Sequence, residues 1–256
     1  MSKIWRDLNT ELERWKDASI YPIFWIRDDD AIKDGPKLTK LIYTAKKFNT
    51  PLSIAVIPFL IEKNLIERLN SYDLITVLQH GFKHKNYEPN NQKKSEFGQS
   101  RDLNNMIADI FHGTKLISEA FEKIFEPIFV PPWNRMNHLL LPYIYSLGIK
   151  GVSSFNKNLV DNTNNKSIVM NTNIDIIDWK KNKKFIGEEQ IIQQLIFELI
   201  SRRNKKNEGY NEPIGILTHH NQMNDSAFLF LEKLILNTKT YGAQWNSIKE
   251  IIMKKK

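Results

Sequence analysis

Apolar positions recur along the chain in two alternating rhythms, one of helical period and one of short, dense runs. Trp5, Leu8, Leu12 and Trp15 fall at helical spacing and predict an N-terminal amphipathic helix within residues 1–20. Pro22–Ile26 is short, aromatic and β-branched, the composition of a buried strand, and it runs directly into Arg27, Asp28, Asp29 and Asp30. Gly35-Pro36 opens a second helix with Leu38, Leu41, Ile42, Ala45 and Phe48 on one face. The strand Leu52–Ile57 is stopped by Pro58, a helix is predicted from Leu60 to Leu69, and the strand Leu74–Leu78 leads into Gln79-His80-Gly81.

Residues 81–98 are polar and irregular, and a loop of that length in a compact domain is usually functional. Beyond it the pattern gives a long helix over 102–125, then the strand Ile128–Val130 ending in Pro131-Pro132-Trp133-Asn134. A helix over 139–147, the strand Gly151–Phe155, an Asn/Asp-rich connection and the strand Ile174–Trp179 follow. The helix Glu188–Arg203, the strand Ile214–His220 and two closing helices complete the chain. Strict alternation predicts an α/β fold, a parallel sheet with helices outside, either doubly wound or closed as a barrel. With no repeat, linker or low-complexity segment, residues 1–256 read as a single domain.

Composition narrows the chemistry. The chain has no cysteine, which excludes disulfides, thiolate nucleophiles, zinc ribbons and iron–sulfur clusters, so a metal site has to be built from His and carboxylate. The net charge of +8 raises a nucleic-acid partner. However, the lysines are scattered in loops (180–184, 202–206) and a tail (254–256), and no groove-reading motif or aromatic–basic interleaving accompanies them, so none is expected. Neither a signal-peptide core nor a membrane-spanning run is present, and the expectation is a soluble, cytoplasmic protein.

Nearly every strand ends in a polar or special residue: the three aspartates, His80, Pro132-Trp133-Asn134, Asp175 to Trp179, and His219-His220. In a parallel α/β fold those ends lie on one face, so residues far apart in sequence converge. His80 and His84 stand four positions apart, and a helix beginning after His80 would set both imidazoles on one side. Two imidazoles and one carboxylate make a three-ligand site of the hydrolytic zinc type. The metal would bring the pKa of water toward ~7, and a second aspartate beside the ligand could take its proton. His219 offers a general acid for the leaving group.

These motifs together resemble the polysaccharide deacetylases, carbohydrate esterase family four. Ile26-Arg27-Asp28-Asp29 looks like the family's Thr-Phe-Asp-Asp, and His80-Gly81-Phe82-Lys83-His84 like its His-Ser/Thr-x-x-His. Val130-Pro131-Pro132-Trp133 resembles Arg-x-Pro-Tyr/Trp, Asp175-Ile176-Ile177-Asp178-Trp179 resembles Asp-x-x-Asp-Trp, and Leu217-Thr218-His219 resembles Leu-x-His. Each motif alone is weak, but all occur in the family's order from Ile26 to His219. The resemblance implies a distorted (β/α)7 barrel and metal-assisted removal of an N- or O-acetyl group from an amino sugar or glycan precursor. It implies Asp28 as catalytic base and Asp29, His80 and His84 as ligands of one divalent ion, zinc by expectation. It further implies His219 as general acid tuned by Asp175, and Pro132, Trp133, Asn134, Trp179 and Arg27 as substrate-contacting residues.

The sequence departs from that pattern in places. The third aspartate leaves a second frame open, with Asp29 as base and Asp30 as ligand. Val130 stands where the family has an arginine beside the base, and Arg27 or Arg135 is the alternative cation. Gly81 stands at the motif hydroxyl. The loop 86–98 reads equally as a lid in which Glu96 or Lys94 touches substrate and as a solvated insertion. Without an export signal, a small acylated sugar or a lipid- or nucleotide-linked precursor suits better than a cell-wall polymer. A related activity on another C–N amide, of the ureide or imide type, and a non-catalytic carbohydrate-binding role stay open; sugar, acyl group and oligomeric state are not given by sequence.

Overall fold

The computed structural model describes residues 2–156, 168–181, 183–205 and 211–254. Met1, part of the Asn/Asp-rich connection (157–167), Asn182, residues 206–210 and the last two lysines lie outside the described residues. The described residues gather into two compact units, one of Met1–Arg27, Gly35–Leu52 and Asn173–Lys256, the other of Asp28–Asp34 and Ser53–Thr172.

In the first unit, helix α1 (Lys3–Asp17) buries the predicted stripe of Trp5, Leu8, Leu12 and Trp15 completely. It is tied to α6 (Glu188–Arg203) at both ends: the Trp5 indole donates to Glu188 at 2.6 Å, and Arg203 donates to the buried Glu11 at 2.7 Å. Strand β1 (Ile23–Ala31) begins here and pairs in parallel with β11 (Gln244–Trp245), Phe24 stacking on Trp245 at 5.0 Å. Strand β10 (Ile214–Thr218) pairs in parallel with β7 (Ile174–Asp175). Helices α2 (Pro36–Lys47) and α7 (Asp225–Thr240) flank these strands, α2 entered through Pro36 and α7 capped by Asn224, whose side chain accepts from Ala227 N.

The second unit holds the C-terminal half of β1, then β2 (Leu52–Val56), β3 (Ile75–His80), β4 (Phe125–Val130), β5 (Gly151–Val152) and β6 (Ile168–Val169), adjacent in that order. The pairs from β3 to β6 are parallel, with His80 opposite Val130 and Phe129 opposite Val152. Helices α3 (Lys63–Asn70), α4 (Leu103–Ala120) and α5 (Leu141–Ser146) connect them. Phe82, Phe97, Met106, Ile110, Phe129 and Leu140 form the core beneath the strand ends. Parallel neighbours joined through helices are what the alternating rhythm predicts.

Several boundaries differ from the sequence reading. Strand β1 continues through all three aspartates, and β3 includes Gln79 and His80. The helix expected over 60–69 is a short 3-10 turn at Pro58–Leu60 followed by α3. Helix α4 stops at Ala120, and Phe125, expected at its end, opens β4. The strand expected over 174–179 divides into β7 and β8 (Ile177–Asp178), which turns away to pair antiparallel with β9 (Lys184–Phe185). Short apolar runs carry too little periodicity to show where pairing changes partner. α8 (Ile248–Lys254) ends the described chain, and among the described residues no helix is long and apolar enough to cross a membrane.

Candidate metal centre

Asp30, His80 and His84 bring one ligand atom each within 4.8 Å of the others. Asp30 Oδ1 lies 3.0 Å from His80 Nε2 and 3.2 Å from His84 Nε2. A tetrahedral ion with bonds of about 2.0 Å holds its ligand atoms roughly 3.3 Å apart, so the donor set fits a small divalent cation in both type and spacing. The imidazole of His80 is oriented from behind: its Nδ1 is 3.1 Å from the Val130 carbonyl, an acceptor only. With the proton on Nδ1 for that carbonyl, the Nε2 lone pair is left for a metal, the usual outer support of a metal-binding histidine.

Backbone conformation brings these groups together. Asp30 has φ 69° and His84 φ 54°, both left-handed. Non-glycine residues are costly there, of order 1–3 kcal/mol each, and such strain collects at functional sites. Trp133 (φ 55°) and Asn134 (φ 56°) repeat the feature at the end of β4, and the Trp133 ring packs on His84 with centroids 4.3 Å apart. No helix follows His80, in line with the irregular pattern of residues 81–98. The chain turns instead through Gly81, also at positive φ, and the two imidazole rings lie 5.1 Å apart by way of a loop. Gly81 has a packing reason as well: a Cβ there would lie 2.3 Å from Glu96 Oε2 and 2.4 Å from Pro132 Cγ. A hydroxyl-bearing residue could not occupy this conformation without displacing both.

The loop 86–98 is divided, with residues 89–94 exposed and its two flanks turned inward. Glu88, Ser95, Glu96 and Phe97 are buried in it. Glu96 points inward, its carboxylate accepting from the backbone N–H groups of Phe82 (3.2 Å), Lys83 (2.7 Å) and His84 (3.1 Å). Burial pushes the Glu96 carboxyl above the usual carboxylate range, opposed by those three N–H groups and by His80. The Gln79 amide donates to the Gly81 carbonyl (3.2 Å) and to Ile110 in α4 (3.0 Å), fastening the turn to the helix behind it. Sequence reasoning missed these supports, because a buried Glu or Gln in a polar run looks like a solvated one.

The aspartates separate cleanly. Asp30 is the partly open one and the member of the trio; Asp28 and Asp29 are fully buried and each has interactions of its own. Of the two frames the sequence leaves open, the one with the third aspartate beside the imidazoles matches this geometry. Arg27 is fully buried, while Arg135 Nη1 donates to the Lys94 carbonyl at 3.0 Å and so holds the loop. Pro132 packs against Gly81 and is buried; Trp133 and Asn134 are partly open.

The other unit carries the remaining expected residues. Asp175 accepts from Ile177 N at 2.9 Å and from the Trp179 indole at 2.8 Å. Trp179 in turn meets His219 edge to face, centroids 4.6 Å apart, and remains 40% exposed. His219 is nearly buried, and its Nδ1 has no hydrogen-bond partner among the described residues. The hydrogen bonds of Asp175 thus place the indole that packs on His219.

No protein-family model and no curated protein matches the chain. Among solved structures it is similar to a peptidoglycan N-acetylglucosamine deacetylase, at 14% identity and TM-score 0.57, over 90% of this chain and 87% of that one. The fold is that of the polysaccharide deacetylases. A family 4 acetyl xylan esterase from Clostridium thermocellum, described in complex with a cobalt ion, matches at 12% identity and TM-score 0.57 over 91% of both chains. A CE4 family pseudoenzyme from Bacillus anthracis matches at 15% identity and TM-score 0.59, over 91% of this chain and 68% of that one. The polysaccharide-deacetylase fold is a distorted (β/α) barrel, in agreement with the parallel strands and intervening helices described above.

Proposed function

We propose that this chain is a metal-dependent hydrolase that removes an acetyl group from an amino sugar or acetylated glycan. The observation that carries the reading is the Asp30–His80–His84 trio, two imidazoles and a carboxylate around one point at the ends of β1 and β3. These residues would hold one divalent ion, zinc being best suited to the donor set. Such an ion supplies Lewis acidity toward a carbonyl oxygen and acidifies water.

The protein residues divide the remaining work. Asp29, adjacent to the ligand Asp30, is the proposed base that accepts the proton of the attacking water. His219 is the proposed acid that returns a proton to the departing nitrogen or oxygen, with Trp179 packed on its ring. Trp133, fixed against His84, offers an aromatic face of the kind that suits a sugar ring. The names of the neighbours, peptidoglycan deacetylase and xylan esterase, support acetylated carbohydrate as the substrate class.

The test is acetate release by zinc-loaded protein from N-acetylglucosamine oligomers, nucleotide-linked N-acetylglucosamine and acetylated xylan, beside His84→Ala. Release by wild type that falls to background in the variant is the expected outcome. No release from any of these, with ammonia or carbamate released from ureides or cyclic imides instead, would move the chain to another C–N hydrolysis on the same fold.

A further inference from the structure

Glu96 lies twelve residues beyond His84 in the sequence, is fully buried, and is spent on three consecutive backbone N–H groups. Its Oε2 accepts from both Phe82 and His84, and its Oε1 from Lys83. Phe82, Lys83 and His84 are the residues whose path carries the chain from one imidazole of the trio to the other. Because His84 sits at φ 54° and Gly81 at φ 57°, this turn is not one that the segment would hold unaided. Glu96 itself is gripped from outside the turn: Arg101 donates to its carbonyl at 3.3 Å and stacks on the Tyr87 ring, 4.1 Å from its centroid. Its neighbours Ser95 and Phe97 are anchored on the segment after β4, Ser95 Oγ donating to the Arg135 carbonyl (3.1 Å) and Phe97 O accepting from Asn137 N (2.6 Å).

We propose that Glu96 is the positioning residue of this metal centre, a carboxylate that moulds the Gly81–His84 turn so that His84 Nε2 faces Asp30 and His80. The assignment rests on the reading of Asp30, His80 and His84 as a metal site. Gly81 and Glu96 act as a matched pair: the glycine leaves open the space that the carboxylate oxygen occupies, 2.3 Å from where a Cβ would stand. A carboxylate satisfies all three donors at once, whereas an amide has a single oxygen to offer and would set its own N–H₂ against the rest.

Two measurements on the full-length protein test this, with Glu96→Ala and Glu96→Gln beside wild type. In metal-free protein, amide hydrogen exchange of Phe82, Lys83 and His84 is expected to accelerate strongly in Glu96→Ala and less in Glu96→Gln, while amides of β3 and β4 keep their protection. With zinc alone as probe, affinity is expected to fall roughly 10–100-fold in Glu96→Ala, the usual cost of losing an outer support, and by less in Glu96→Gln. Wild-type protection of the three amides, or wild-type zinc affinity in Glu96→Ala, overturns the proposal. Loss of protection throughout β3 and β4 also overturns it, by making Glu96 a general folding residue. Failure of the underlying reading looks different: wild type itself binds no zinc, or His84→Ala binds it as tightly, whatever the amides do.

Discussion

Three consecutive aspartates end β1, and in the unfolded chain nothing chemical separates them. Folding does, because Asp30 alone takes a left-handed backbone and turns its carboxylate to the two imidazoles, while Asp28 and Asp29 are enclosed. Asp30→Asn should therefore lose most zinc binding by equilibrium dialysis, whereas Asp29→Asn should keep the metal and lose turnover. Reversal of that order would restore Asp29 as ligand. His219 is the other residue whose role can be isolated. His219→Ala is expected to retain zinc and to lower acetate release on the order of 10²–10⁴-fold, the usual contribution of a general acid. Unchanged release would withdraw that role from His219.

Elements are fastened at their ends by single long-range side chains. The Lys239 ammonium of α7 donates to the carbonyls of Phe48 (2.5 Å) and Asn49 (3.1 Å), closing the C-terminal end of α2, where the helix dipole also favours a cation. Burial lowers the pKa of this ammonium. Lys239→Met removes charged hydrogen bonds worth roughly 1–3 kcal/mol, and its urea unfolding midpoint should drop accordingly. A wild-type midpoint would mean that water replaces the lysine at no cost. Around the proposed metal centre the same logic recurs with Gln79, which joins the Gly81 carbonyl to α4.

At the scale of the whole molecule, the proposed metal binding would be linked to folding. Asp30 is separated by fifty residues of sequence from His80, so the proposed donor set exists only in the folded state. An ion that binds the native state alone stabilises it by about 2.7 kcal/mol at a hundredfold excess over its dissociation constant. For a chain of this size that corresponds to a rise in melting temperature of roughly 5–10 °C, to be seen on adding zinc to chelator-treated protein. Identical melting curves with and without zinc would count against the site.

The order and kind of elements were legible because periodicity is a local property: helical stripes such as Trp5-Leu8-Leu12-Trp15 and dense runs such as Ile23–Ile26 read the same in sequence and in space. The spacing of His80 and His84 and the polar strand ends are local features too, and they suggest a His–carboxylate cluster in the sequence itself. Which aspartate joins them was decided by tertiary structure alone, since φ at Asp30 and the burial of its neighbours depend on what packs against β1. The same holds for Glu96 and Arg27. Local sequence sets a residue's charge, but whether that charge faces solvent, a metal site or three backbone N–H groups is fixed only when distant segments close around it.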